Sequence, residues 1–273
     1  MKTVWLAQVR GILRLEIRKN LLSTRAIPIY LLAAMPMAAV ALFILVSSLA
    51  GKPEEMSGPG GGSITFSYIF QVGILRVVIY FGSVWIFMNL FRGEVLDRSL
   101  HYYFLAPIRR EVLVAGKYLS AWATTTLLFG AATAISYVSI YGYLSGLGPG
   151  AALRGVPLQH LVSYLGVVAL GCLGYGAVFL LVGLFFRNPI IPALVVYVWE
   201  WINGFLPALL KKISVVFYLQ SLMPVPADEG PLAIVAAPIS GWIATPGLVL
   251  FTAATLLVAG LRIRHMEIVY SSD

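Results

Sequence analysis

The sequence predicts an all-α polytopic membrane protein with six transmembrane helices. Three observations carry this. Of 273 residues, 60% are hydrophobic and 11% charged, with a mean hydropathy of +0.90, whereas a soluble domain carries roughly 25% charged residues. Apolar runs near the length needed to cross a bilayer, about 20 residues, recur six times. The cations, finally, are shared unequally among the segments between those runs. A water-soluble chain of this length could not hide so much apolar surface. The net charge of +8 does not point to nucleic acid, because the cations sit at helix ends, as membrane topology requires, and form no separate basic domain.

The chain opens on a segment, 1–25, expected to lie as a basic amphipathic helix in the inner interface beside anionic lipid. At 100° per residue Trp5, Leu6, Val9, Ile12, Leu13 and Ile17 share one face, and Arg10, Arg14 and Arg18 another. Glu16 falls inside the apolar arc, where a solvated face does not explain it. No small-residue cleavage site follows a short apolar core here, so a cleavable signal is not expected.

The expected spans are 26–50, 65–90, 115–145, 159–186, 190–208 and 241–262, in a single domain covering 1–273. The third is longer than needed and should tilt or project. The fifth is bracketed by Pro189, Pro192 and Pro207 and interrupted by Glu200. Ala169, Gly176 and Gly183 in the fourth recur at spacing seven, a stripe of small residues where another helix can come close.

With the N-terminus inside, the inner segments hold fourteen of the 19 Lys and Arg. Four lie outside (Lys52, Arg154, Lys211 and Lys212), and Arg76 falls within a span. This positive-inside bias puts both chain ends in the cytoplasm. Of the outer segments, GKPEEMSGPGGGS at 51–63 reads as a flexible Gly/Pro-rich loop. Residues 209–240 read as a short interfacial or re-entrant hairpin, its backbone shielded by protein.

The chain lacks HExxH, a Gly-x-Ser-x-Gly elbow and a GxxxxGK[ST] phosphate loop. No catalytic residue, metal site or cofactor is expected in it. His101, His160 and His265 are far apart and read as polar anchors. Cys172, the one cysteine, reads as a small core residue. Arg76 and Glu200 are more informative, because both fall near mid-depth of their spans. A charge there must face protein or water and find a partner. They form either a structural ion pair or the lining of a polar pathway.

The stretch FRGEVLDRSLHYYFLAPIRREVLVAGKYL, 91–119, is the second anomaly. A plain connection needs only a few residues. Glu94 through Phe104 can instead form about three amphipathic turns, ended by Pro107, which cannot continue a helix. Arg109 and Arg110 then start the third span. The topology count explains the arginines but not the interleaved acids, so this stretch is expected to be a docking surface.

At these residues the chain resembles the permease subunits of type-2 ATP-binding-cassette (ABC-2 type) transporters. The likeness between spans two and three rests on Glu94, Asp97, Leu100, Leu105, Pro107, Arg110 and Lys117. At the N-terminus it rests on Glu16, Arg18, Lys19, Arg25 and Pro36. Arg98–Ser99 and the aromatic HYYF at 101–104 depart from the common pattern. The resemblance implies an exporter in a cell (inner or plasma) membrane of a prokaryote. ATP and Mg would sit on a separate cytoplasmic ABC ATPase, with no cofactor bound by this chain. A coupling helix between spans two and three, with Glu94, Asp97, Arg98, Leu100, Phe104, Pro107 and Arg110 as the contact, would dock on that ATPase. Two permeases would pair as homodimer or heterodimer, with spans two and five near the pathway. The outer hairpin between spans five and six would match 209–240. A membrane scaffold or assembly factor that recruits another partner through 91–117 is the rival reading. An intramembrane enzyme would need an acid/base pair that the sequence does not offer.

Overall fold

A computed structural model describes residues 11, 16–18, 20–23, 26–50, 61–96, 110–144, 157–186, 188–225 and 239–264. Of 92–96, 110, 111, 208 and 264 it describes the backbone alone. Every regular element among them is helical: α1 (Ile27–Ala50), α2 (Gly61–Tyr68), a π-helical stretch (Ile69–Ile79), α3 (Tyr80–Leu96), α4 (Arg110–Leu144), α5 (Leu158–Phe185), α6 (Ile190–Ile202), a 3₁₀ turn (Asn203–Phe205), α7 (Ala208–Lys211), α8 (Val215–Ser221) and α9 (Gly241–Arg264). Five helical stretches are long and apolar enough to cross a membrane: Ile27–Ala50, Gly61–Phe91, Val112–Leu144, Leu158–Phe185 and Gly241–Ile263. The chain is therefore a polytopic helical membrane protein. Its outward faces are apolar, with Leu31, Leu49, Leu127, Ile190 and Leu257 all exposed, as lipid contact demands.

Contacts sort the helix ends into two levels. At one level the α5 end and α3 meet, since the backbone of Met88 abuts Gly183. The Arg262 guanidinium near the end of α9 lies 5.3 Å over the Phe185 ring at the same level. At the other level the Phe66 ring of α2 meets Tyr137 of α4 at 4.8 Å and Tyr164 of α5 at 4.9 Å. The Ser67 hydroxyl there donates to the Val225 carbonyl at 2.6 Å.

The segment 190–225 accordingly runs from one level to the other, but not as one helix. The expected fifth span, 190–208, is corrected to a 13-residue helix, α6, closed by a 3₁₀ turn. Asn203–Gly204 and Pro207 stop it, since Pro cannot continue a helix and pushes the preceding residue to extended backbone. Leu206 is extended, with ψ of 151°. Of 209–240, read as interfacial or re-entrant, the described part does not lie at the end of the bundle. α8 lies along the middle of α5, because a Cβ on Gly174 would sit 3.2 Å from Val215, and one on Gly171 3.4 Å from Leu219. Gly174 is eleven residues from the end of α5, about 16 Å. Residues 226–238 lie outside the described residues.

The small-residue stripe is used in part. A Cβ on Gly176 would meet the Phe87 ring at 2.6 Å, and one on Gly183 the Met88 carbonyl oxygen at 2.8 Å. Both glycines let α5 close on α3. At Ala169 the contact shown is with α4, its backbone carbonyl accepting from the Trp122 indole at 2.9 Å. Gly183→Ala sets a Cβ against the Met88 backbone and should cost about 1–3 kcal/mol. A lowered unfolding temperature of the detergent-solubilised chain reads this out, and an unchanged one contradicts the packing.

Candidate functional site

Two buried carboxylates organise the molecule. The first is Glu16, in the N-terminal segment that sequence singled out. It is 2% exposed, while Arg18, two residues on, faces out. Its Oε1 accepts from Lys117 Nζ at 2.6 Å, and Lys117 in α4 is itself fully buried. The Lys117 ammonium also lies 5.6 Å from the Phe91 ring centre. Beside the pair is a cavity of about 50 Å³ lined by Glu16, Asn20, Ser23, Trp85 and Asn89 among others. Its lining mixes these polar groups with Ile29, Ile86 and Leu90, and it is large enough for a few waters. The apolar arc could hold Glu16 because α4 supplies the cation. Glu16 and Lys117 are 101 positions apart, so neither anomaly announced the other.

The second is Glu200, near the end of α6. The Ser214 hydroxyl donates to its Oε2 at 2.5 Å, and the N–H groups of Val215 and Val216 donate to Oε1 at 3.2 Å and Oε2 at 3.1 Å. The carboxylate thus caps the first turn of α8, where N–H groups have no intrahelical partner and negative charge is favoured. Tyr175 stands beside it. Through the break, Leu206 N–H bonds Asn203 O, Lys211 N–H bonds Pro207 O, and Ser214 N–H bonds Lys211 O. The Asn203 amide reaches Lys211 O at 3.4 Å. These bonds satisfy backbone groups freed by the interruption within the protein itself.

Arg76 lies in the π-helical stretch, its guanidinium 5.0 Å over the Trp201 ring. The structure brings Arg76 into the neighbourhood of Glu200, as their depths suggested. The carboxylate is engaged by Ser214 and two backbone N–H groups, and the Arg76 cation lies over Trp201, the next side chain. Around them Tyr80, Phe81, Tyr175, Phe179 and Tyr197 stack at 4.9–6.3 Å. The Tyr80 hydroxyl ties α6 to this cluster by donating to Ala193 O at 2.6 Å. Lys211 and Lys212, expected outside, flank the same break.

Of the expected docking stretch, Asp97, Arg98, Leu100, Phe104 and Pro107 lie outside the described residues, and Glu94 and Arg110 are described in backbone alone. Both of the latter are helical, at the end of α3 and the start of α4. The connection therefore leaves and re-enters the bundle at the level where Lys117 holds Glu16. Among the described residues no His/Cys/Asp/Glu cluster could hold a metal. No family model matches the chain, and no curated protein or solved structure matches it significantly.

Removing one partner of a buried pair leaves an uncompensated charge, at about 3–5 kcal/mol. Glu16→Leu or Lys117→Met alone should destabilise by that order, while the double variant recovers most of the loss. A thermal double-mutant cycle in detergent measures this coupling, and additive losses contradict it. Glu200→Ala strands the Val215 and Val216 N–H groups at about 1–3 kcal/mol each, and should lower the melting temperature more than Glu200→Gln, which keeps an acceptor oxygen. Equal effects of the two substitutions contradict the capping role.

Proposed function

We propose that this chain is the permease subunit of an ATP-driven ABC-2 type transporter, working as an exporter with the ATP held on a separate cytoplasmic subunit. The observation that carries this reading is the buried Glu16–Lys117 pair. It joins the two stretches on which the family resemblance rests, the N-terminal amphipathic segment and the connection entering the third span. A force applied to 91–117 would then be felt both by the interfacial helix and by α4, which is 35 residues long, about 52 Å. That is the arrangement a coupling element needs. The proposed contact with the ATPase remains Glu94, Asp97, Arg98, Leu100, Phe104, Pro107 and Arg110, with a second permease completing the assembly.

The interrupted fifth segment supports the same reading. Transporter sites are often built where spanning helices are discontinuous. α6 and α8 rise about 20 and 10 Å, which together match a hydrocarbon core of about 30 Å. We take 190–225 as the sixth crossing, broken at mid-depth. Lys211 and Lys212 then leave the outer loops, and the cation bias becomes fourteen inside against Lys52 and Arg154 outside. Both chain ends remain cytoplasmic.

The test is co-expression with a phosphate-loop ATPase encoded beside this chain. The wild type should co-purify with it, and charge reversal in Glu94→Arg or Arg98→Glu should abolish capture while the variants still insert. Undiminished capture by both variants overturns the proposed interface.

A further inference from the structure

The break in the fifth segment opens a cleft of about 210 Å³ between α8 and α9. Its walls are apolar, formed chiefly by Ile213, Val215, Tyr218, Leu248 and Phe251. Gly247 faces open space in it, since a Cβ there would come no closer than 4.0 Å to Tyr218. Among the described residues, the charged group on the lining is Lys212 and no carboxylate lines the cleft. The nearest acid in the break, Glu200, is already engaged by Ser214, Val215 and Val216.

The two lysines of the break differ. Lys211 is 3% exposed and its carbonyl serves Asn203 and Ser214. Lys212 is exposed. It lies three residues from Val215, which packs on Gly174 about 16 Å from the end of α5. An exposed ammonium at that depth is costly unless it meets water or an anion. Its stem cannot carry it to an interface some 15 Å away. The surroundings offer apolar walls for a hydrocarbon chain and one cation for an acidic group.

We infer that the α8–α9 cleft binds an anionic lipid drawn from the bilayer, its acidic group at Lys212 and part of an acyl chain along Val215, Leu248 and Phe251. On the permease reading, an anionic lipid is then the class of molecule moved, held with its charged group midway across. Lys212 supplies the charge selectivity, and Gly247 the room.

The test is native mass spectrometry of the full chain in detergent, titrated with phosphatidylglycerol or with phosphatidylcholine of the same acyl chains. The wild type should retain one phosphatidylglycerol with at least a tenfold preference over phosphatidylcholine. Lys212→Ala should cut that preference to near unity and Lys212→Arg restore it. Gly247→Leu, which fills the cleft without touching the charge, should weaken both lipids about tenfold. Monodisperse elution and an unchanged melting temperature establish that each variant is folded. Should Lys212→Ala fail that check, Gly247→Leu decides. Equal retention of the two lipids by the wild type, or binding untouched by a folded Lys212→Ala and Gly247→Leu, overturns the inference. The titration contains no ATP and no ATPase. Loss of the cleft therefore leaves the permease reading standing, and loss of ATPase capture leaves the cleft standing.

Discussion

The carboxylate of Glu200 meets three donors that would otherwise have none. α6 ends at Asn203–Gly204, and a new helix begins at Val215. Between them the continuous ladder is broken into a 3₁₀ turn and the four-residue α7, at a level flanked by the middle of α5. On the proposed crossing water would not be there to receive the freed N–H groups, so the protein must. Ser214, Val215 and Val216 all turn to Glu200, and the rest of the break closes on its own carbonyls. An acid in an oily segment and a gap in a helix are each unfavourable alone. Together each satisfies the other, and the rest of the fifth segment follows: the aromatic cluster around Tyr80, the position of Arg76 over Trp201, and the open cleft beyond Ser214.

The same logic acts at the opposite end through Glu16 and Lys117. A buried ion pair is weak evidence for stability, because desolvation offsets much of the attraction. Its consequence here is positional. It fixes where the N-terminal segment meets α4, and it does so beside the connection between α3 and α4. The two buried carboxylates thus hold the parts that are hardest to hold in a bilayer: an amphipathic segment at the surface and an irregular backbone within.

Much of this was legible in sequence. Five spans were expected within a few residues of where the long apolar helices lie, because length and hydropathy decide them. Glu16, Arg76 and Glu200 stood out as charges without an evident partner, and the depths assigned to Arg76 and Glu200 brought them together. Their partners were not legible. Lys117 is distant in sequence, and the N–H groups that claim Glu200 exist only because the helix breaks. Asn203, Gly204 and Pro207 read as the end of a span, and on the proposed broken crossing they would mark its middle. The apolar run after them is too short to be recognised as a crossing. The stripe of Ala169, Gly176 and Gly183 was read as a face where another helix can come close, and α3 does so at the two glycines.

A permease needs its ATPase-facing elements and its ends on one side of the membrane, and the proposed broken crossing is what provides that parity. Five crossings would separate the two ends; six bring them together. The decisive measurement is labelling of single cysteines, Thr3→Cys, Ala233→Cys and Ser271→Cys in a Cys172→Ser background, with a membrane-impermeant maleimide. The account predicts that Ala233→Cys reacts in intact cells, and that Thr3→Cys and Ser271→Cys react only after permeabilisation. Thr3→Cys and Ser271→Cys reacting from opposite sides would contradict it.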